Sequence, residues 1–563
     1  MALDMQVTRY RRDSESSFTC LGNGALGGKA LGLAQMQNIL AVHFENCRFG
    51  PFQIDIPQMI VLRTGLFEAF LDQNNLHDCD WDALSDDEIA LFFQRASLPA
   101  TILGDLMNLM KTLHRPLAIR SSSMLEDAAE KPFAGVYATK MIPNQQVKTE
   151  SRFHRLVEAI KFVYASLYFR QSRQYARAVG LGEDRMAVIL QEVVGCRHAD
   201  AWYPHISGVA RSFNFYPTGN ARPEEGVINL ALGLGKTIVD GGRSWTYCPA
   251  YPKAPPPASD PGDLLKNTQT EFWAVNMGKT PVYDPIRETE HLALLPLEHA
   301  EADNVLRHLC STYDGSSDRF YTGLFGNGPR LVDFAPMLKA NMLPLNDMIR
   351  ELIAVCEAEF DTKVEIEFAA TVDENPRLGF LQVRPMTVST EFVSADPAEF
   401  AGRIVLASGS VMGNGARDDL HDIVFVKPDV FDAAKTRDIA LDLAAMNETL
   451  TNTPYLLIGF GRWGSSDPWL GIPVVWSQIA GAAVIVEATL PSMNPDLSQG
   501  SHFFHNISSQ GIPYFAVKQG LDWDWLQSLP VVNESRWTCH VRTKSPFIVR
   551  ADGRTGSGLV AHR

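Results

Sequence analysis

The 563-residue chain is short of several features that would mark its class at once. It has no basic excess. Its net charge is −15, so a broad nucleic-acid footprint is not expected, and one local basic groove is the most this balance suggests. The eight cysteines include no CxxC pair, so neither a zinc site nor a disulfide framework is indicated. The most apolar window, 471–488, is interrupted by Pro473, Ser477, Gln478 and Glu487. It reads as a buried strand pair, or a strand and a helix, and not as a membrane span. Residues 1–12 are mixed and charged and lack the apolar stretch of a secretory signal. No repeat of fixed period and no low-complexity tract is present. With 45% hydrophobic and 20% charged residues, the expectation is a soluble protein of three or four domains in a reducing cytoplasm.

The apolar spacing gives a mixed α/β chain. A Gly-rich loop leads into a helix over 29–40, and 53–63 is a short strand region with proline punctuation. Helices are expected over 65–74, 85–95, 100–112 and, as one long element, 148–179. Residues 16–21 look poor as a buried strand. Strands are expected at 117–120, 186–194, 208–214, 226–232, 364–370 and 379–383, with 250–262 as an exposed loop. A linker over 389–399 leads to a last domain with strands near 404, 423, 455, 483 and 514.

Four stretches carry chemistry. In Pro116–Asp127 an apolar strand runs into Arg120, Ser121, Ser122 and Ser123, then Glu126 and Asp127, with Phe133-Ala134-Gly135 beyond. Arginine offers a rigid fork of donors to phosphate and the serines add short hydrogen bonds, although Ser before Glu/Asp also caps helices. In Gly22-Asn23-Gly24-Ala25-Leu26-Gly27-Gly28-Lys29, glycines would let backbone donors approach a phosphate, with Lys29 as point charge. The same residues contain GxGxxG with Glu45 downstream, so a dinucleotide loop and a plain capping turn stand as alternatives. Leu232-Gly233-Leu234-Gly235-Lys236-Thr237 looks like a Walker A fragment but has Leu230 where that motif needs glycine. Finally, Glu365 and Glu367 share one face of a strand, and Gln382 and Arg384 share one face of its neighbour. Carboxylate and amide oxygens suit Mg2+, and an adjacent arginine would neutralise charge during phosphoryl transfer. A cross-strand salt bridge is the simpler alternative.

Taken in chain order, these stretches resemble the nucleotide-binding domain of the phosphoenolpyruvate synthase and pyruvate phosphate dikinase family. There a Gly-Gly-Lys segment, a Val-Arg-Ser-Ser strand end with Glu-Asp and Phe-Ala-Gly, and an Asp-Ile-Glu … Leu-Gln-x-Arg-Pro ending recur. The resemblance implies an ATP-grasp-type domain over 20–387. Lys29, Arg120, Ser121 and Arg384 would hold phosphates. The region Gln191, Glu192 and Val194 would line the adenine slot, and Gly235 would lie in the family's Gly-Leu-Gly turn. Glu367 and Gln382 would hold Mg2+. Glu365 stands where the family usually has Asp, and Lys236 where it has Glu.

Ser501-His502-Phe503-Phe504-His505 is followed by Gly511-Ile512-Pro513 at the interval found in the family's swivelling phosphohistidine domain. The resemblance implies His502, ahead of His505, as the phosphoryl carrier. It is looser here. The glycine pair is replaced by Gln499-Gly500, the small residues by Phe503 and Phe504, and residues 490–497 are inserted. A capping or core histidine is the alternative. The loop Gly459–Trp469, with Arg462, has no counterpart in the family; it is either an acceptor pocket or a tight turn.

The expected fold is thus α/β (α+β): an ATP-grasp-type domain in two subdomains (1–180 and 181–390) and a smaller swivelling phosphohistidine-like α/β domain (391–563). Nothing after 390 has the length of a pyruvate-binding (β/α)8 barrel, which takes about 250 residues. The expected activity is an ATP- and Mg2+-dependent phosphotransfer, with His502, Arg120 and Arg384 catalytic. The expected partner is a small-molecule or protein phosphoryl acceptor, with a homodimer as a further assembly and neither nucleic acid nor membrane. The alternatives are a nucleotide-driven regulatory protein and, on GxGxxG alone, a dinucleotide oxidoreductase.

Overall fold

A computed structural model describes residues 18–562, apart from 125, 127–136, 180–183, 216, 218, 257–260, 387, 389–392, 396–399, 401–402, 451–452, 466, 468, 491–511, 519 and 554. The chain divides into two compact units. The first comprises Met1–Ala210, Leu230–Lys236 and Asp260–Pro385, the second Arg211–Asn229, Thr237–Ser259 and Met386–Arg563. The fold is mixed α/β, with several mixed sheets and packed helices.

One sheet of the first unit has five strands in the order Phe18–Leu21, Met59–Leu62, Met186–Glu192, Leu117–Ser123, Thr139–Ile142. The first pair is parallel and the others are antiparallel. Residues 18–21 correct the sequence reading: this weak-looking segment is a buried strand, registered from Phe18 opposite Met59 to Leu21 opposite Leu62. Its neighbour Met-Ile-Val-Leu is buried at every position, so a short mixed sequence is held by a strongly apolar partner.

The helix Gly28–His43 follows directly, and Thr64–Asn74, Asp86–Arg95 and Ala100–Thr112 lie where the apolar spacing put them. Ser85 and Glu88 close a capping box at the start of Asp86–Arg95. The single long helix expected over 148–179 is broken instead. Thr149–Ala165 ends in a 3-10 turn, Ser166–Tyr168, before Arg170–Val179 begins. Ser166 donates to Val163 O at 2.7 Å and Ser172 to Ser166 O at 2.6 Å, and Phe169 between them is extended. Side-chain hydroxyls competing for backbone carbonyls produce such breaks.

A second sheet of this unit runs Ile206–Arg211, Val364–Thr371, Arg377–Pro385, Phe52–Asp55, Arg48–Phe49. A third, antiparallel, runs Leu292–Pro296, Glu271–Asn276, Ala201–Tyr203, Cys196–His198. Part of the expected 250–262 loop gives way to a short helix, Pro261–Asn267.

The second unit is built on a nine-stranded sheet. Asn414–Val426, Tyr455–Phe460, Ala482–Ala488 and Tyr514–Val517 are parallel neighbours. On the other side Asn414–Val426 pairs antiparallel with Thr538–Asp552, which forms a hairpin with Ser557–His562. Among the described residues no helix is long and apolar enough to cross a membrane.

Candidate nucleotide site

The loop before the helix Gly28–His43 packs against the end of the Arg120 strand. Ser122 Oγ donates to Leu26 O at 2.9 Å and accepts from Ala30 N–H at 3.1 Å. Gly27 has φ +78°, and a Cβ there would lie 1.8 Å from Ser122 O, so only glycine fits. Strand alternation sends Arg120 to one face and Ser121 to the other, which makes two polar clusters of one motif.

On the Ser121 face, Lys29 Nζ pairs with Glu126 Oε1 at 2.7 Å and donates to Ser121 Oγ at 3.3 Å. Ser121 Oγ also donates to Glu126 Oε1, at 2.9 Å, and Ser123 N–H to Glu126 Oε2, at 2.9 Å. All four side chains are buried. Lys29 is therefore held by Glu126, a pairing that local sequence does not show. Asp127 and the Phe133-Ala134-Gly135 turn lie outside the described residues.

On the Arg120 face, four of the expected site residues come together. Arg120 Nη1 donates to Gln191 Oε1 at 3.2 Å and to Leu381 O at 2.8 Å. Its Nη2 donates to Gln382 Oε1 at 2.9 Å and lies 3.8 Å from Glu367 Oε2. Glu367 and Gln382 are direct cross-strand partners, just before a bulge at Glu367/Phe368. Gln191 is buried; its oxygen is taken by Arg120 and its Nε2 has no partner, leaving a buried donor in this cluster.

Arg384 is placed differently. It is the cross-strand partner of Glu365, and the two form a buried ion pair. At this pair the cross-strand salt bridge that stood as the simpler alternative is what forms, and it is buried. Glu192 pairs with Arg115 at 3.5 Å; burial pushes its carboxyl up and Arg115 pulls it back. Val193, between Glu192 and Val194, has both backbone groups engaged: its N–H donates to Pro116 O at 2.9 Å and its carbonyl accepts from Trp202 Nε1 at 3.0 Å. In the Leu232–Lys236 turn, the position that needs glycine is Gly233 (φ +82°, a Cβ 2.6 Å from Trp273 O). A Cβ on Gly235 would meet only Ser207, at 3.7 Å. Gln269 braces the turn from both sides of Leu232, at 2.9 Å each.

Among the described residues no group of three or more His, Cys, Asp and Glu is placed to hold a metal. One carboxylate (Glu367) beside one amide oxygen (Gln382) is still a donor set that fits Mg2+, which keeps several waters and completes its shell with phosphate oxygens. The unpartnered Gln191 donor and the Arg120 guanidinium suit an anionic, oxygen-rich ligand.

His502 and His505 lie outside the described residues. In the Gly459–Trp469 loop, Trp463 is buried and donates from Nε1 to Val486 O at 3.1 Å. Arg462 Nη1 and Ser465 Oγ both donate to Gly241 O, at 3.4 and 3.3 Å. The described part of the loop is a turn anchored on Trp463.

The mixed sheets make this an α/β protein, and the Arg–Gln–Glu group they carry suits an anionic ligand. Residues 23–401 match the family described as pyruvate phosphate dikinase, AMP/ATP-binding domain, and the chain belongs to that family. At the family level it is an ATP-binding phosphotransferase of the phosphoenolpyruvate synthase and pyruvate phosphate dikinase type. No curated protein matches the chain in a whole-sequence comparison.

Proposed function

We propose that the chain is an ATP- and Mg2+-dependent phosphotransferase with an ATP-grasp-type domain, passing a phosphoryl group through His502 to a small-molecule or protein acceptor. The observation that carries this reading is the convergence of Arg120, Gln191, Glu367 and Gln382 within the segment that matches the family. Glu367 and Gln382 would hold Mg2+, which supplies charge neutralisation at the phosphates when bound. Arg120 would then turn its planar fork from the two amides to phosphate oxygens. Lys29 and Ser121 would serve the phosphate tail from the glycine loop, and Arg384 would join them on parting from Glu365. At His502 an N–P bond would form as a P–O bond of the nucleotide breaks, and positioning and electrostatics would supply most of the rate.

The test is incubation with Mg2+ and ATP labelled at the β-phosphate, with His502→Ala alongside. Acid-labile label on the wild type alone supports the histidine route. A second reading, ATP binding that regulates a partner with no covalent step, is favoured by one observation: Arg384 is buried against Glu365. Bound ATP without label would select it.

A further inference from the structure

The Lys29–Glu126 pair is itself held from behind. Ser123 N–H donates to Glu126 Oε2 at 2.9 Å, and Glu126 N–H returns a bond to Ser123 Oγ at 3.0 Å, the reciprocal pattern of a capping box. Behind Ser123 stands Asp184. The pairing of Leu117–Ser123 with Met186–Glu192 sets Ser123 opposite Met186, and Asp184 comes just before that partner in the chain. Asp184 Oδ1 accepts from Met124 N–H at 3.2 Å and from Arg185 N–H at 2.7 Å, and its Oδ2 accepts from Tyr137 Oη–H at 2.7 Å. The Ser123 hydroxyl donates to it as well.

These bonds have a fixed direction. Burial, and then the Asp184 charge, push the Tyr137 phenol well up, so it stays neutral and donates. Burial also raises the Asp184 carboxyl, against downward pulls from Ser123, Tyr137 and Arg185 N–H. Because donors converge on Asp184 from all of these groups, it serves each of them as acceptor. A serine hydroxyl can rotate to suit either role. With its proton directed at Asp184, the Ser123 oxygen is left to accept from Glu126 N–H. Ser123 and Glu126 are both buried, which shields the arrangement from solvent.

A continuous line of contacts thus leads from Tyr137 through Asp184, Ser123 and Glu126 to Lys29 Nζ. Ser123 shares a strand face with Ser121, whose hydroxyl meets both Glu126 and Lys29. The lysine ammonium is a compact charge on a flexible stem, so its placement depends on the groups that hold it. Here the holding group is a carboxylate whose own orientation is set two contacts further back.

We infer that Asp184 and Tyr137 are positioning residues for the phosphate end of the nucleotide, acting through Glu126 on Lys29; the assignment rests on the ATP reading above. Tyr137 holds Asp184, Asp184 orients Ser123, and Ser123 holds the carboxylate that aims the ammonium. Neither Asp184 nor Tyr137 needs to touch the nucleotide. Loss of either leaves Glu126 free to turn, and Lys29 with it.

Calorimetric titration of the full chain with ATP and with adenosine tests this, on wild type, Tyr137→Phe, Glu126→Gln and the double variant. Tyr137→Phe removes one hydroxyl and keeps the buried ring. It weakens ATP about tenfold, the upper worth of one hydrogen bond, and leaves adenosine, which has no phosphate, unchanged. In the Glu126→Gln background the same change has no further effect on ATP, because the line to Lys29 is already cut. Asp184→Ala, with its melting temperature checked, behaves as Tyr137→Phe does. A hydroxyl with a purely structural role would shift ATP and adenosine together, and by the same factor in both backgrounds. If wild type binds ATP and the variants either keep its affinity or show that uniform shift, the positioning assignment is overturned and the ATP reading stands. If wild type binds no ATP, both are overturned.

Discussion

Arg120 donates to Gln382 across 262 residues of sequence and sits 3.8 Å from Glu367, so one guanidinium orients both groups proposed to hold the metal. Removing it takes away the proposed phosphate clamp and the cation beside Glu367. Arg120→Ala is expected to lower ATP turnover by about 100- to 1,000-fold, the usual loss for one preorganised electrostatic group, with unchanged circular dichroism. Arg120→Lys should not restore it, because a point charge cannot serve Gln191, Gln382 and a phosphate as a planar fork does. Normal turnover in Arg120→Ala would remove Arg120 from the site.

The buried Arg384–Glu365 pair predicts a different signature. Arg384→Leu strands a carboxylate in the interior, and breaking one side of such a pair costs about 3–5 kcal/mol. Arg384→Leu should therefore lower the urea midpoint markedly, and adding Glu365→Leu should recover most of the loss, since two apolar groups replace two charges. If the double variant regains stability but not ATP turnover, Arg384 acts on phosphate as well as on Glu365. If turnover returns, its role is structural.

Strand alternation placed Glu365 with Glu367 on one face and Gln382 with Arg384 on one face of the neighbouring strand, and the register adds that Glu367 stands opposite Gln382 and Glu365 opposite Arg384. Apolar spacing likewise placed the helix that starts at Gly28 and the parallel strands at 455 and 483. Two of the missed features depend on partners far along the chain. The partner of Lys29, Glu126, stands 97 residues away, too far for local sequence to pair them. The strand Phe18–Leu21 is specified less by its own residues than by Met59–Leu62. The break at Ser166 comes from two hydroxyl bonds that apolar periodicity does not register.

The first unit should weaken in mild acid. His205 is held neutral: burial pushes its imidazole down to about 4, and its Nδ1 accepts from Val372 N–H at 2.9 Å. His291, buried beside Glu290 and Lys140, is also pushed down to about 4. Each group binds its proton more readily in the unfolded chain, whose imidazole titrates near 6.5. Stability from both is complete above that value and is lost as pH falls from about 6.5 toward 4, at up to roughly 1.4 kcal/mol per pH unit for each. Hydrogen exchange of first-unit peptides at pH 7 and pH 5 should show faster opening at pH 5. His205→Asn, which keeps an acceptor for Val372, should reduce the difference; an unchanged difference would rule out His205 as a source.

The second unit should respond in the opposite sense through Glu487. This carboxyl is buried near the end of Ala482–Ala488 and accepts a hydrogen bond from Tyr514 Oη–H. Desolvation raises its pKa to about 7, against smaller downward pulls from Tyr514 and Arg462. A raised carboxyl pKa means that the folded state binds the proton more tightly than the unfolded chain does, where the group titrates near 4.3. Its stabilising contribution is therefore full below about pH 4 and is lost progressively as pH rises to about 7, above which the curve is flat. The slope is at most roughly 1.4 kcal/mol per pH unit, one proton's worth. Second-unit peptides should thus exchange more slowly at pH 5 than at pH 7 after correction for the intrinsic rate, while first-unit peptides show the reverse. Glu487→Gln keeps the shape and the bond to Tyr514 but cannot ionise, so it should abolish the second-unit difference and leave the first-unit one intact. If Glu487→Gln preserves the second-unit difference, Glu487 is not the titrating group.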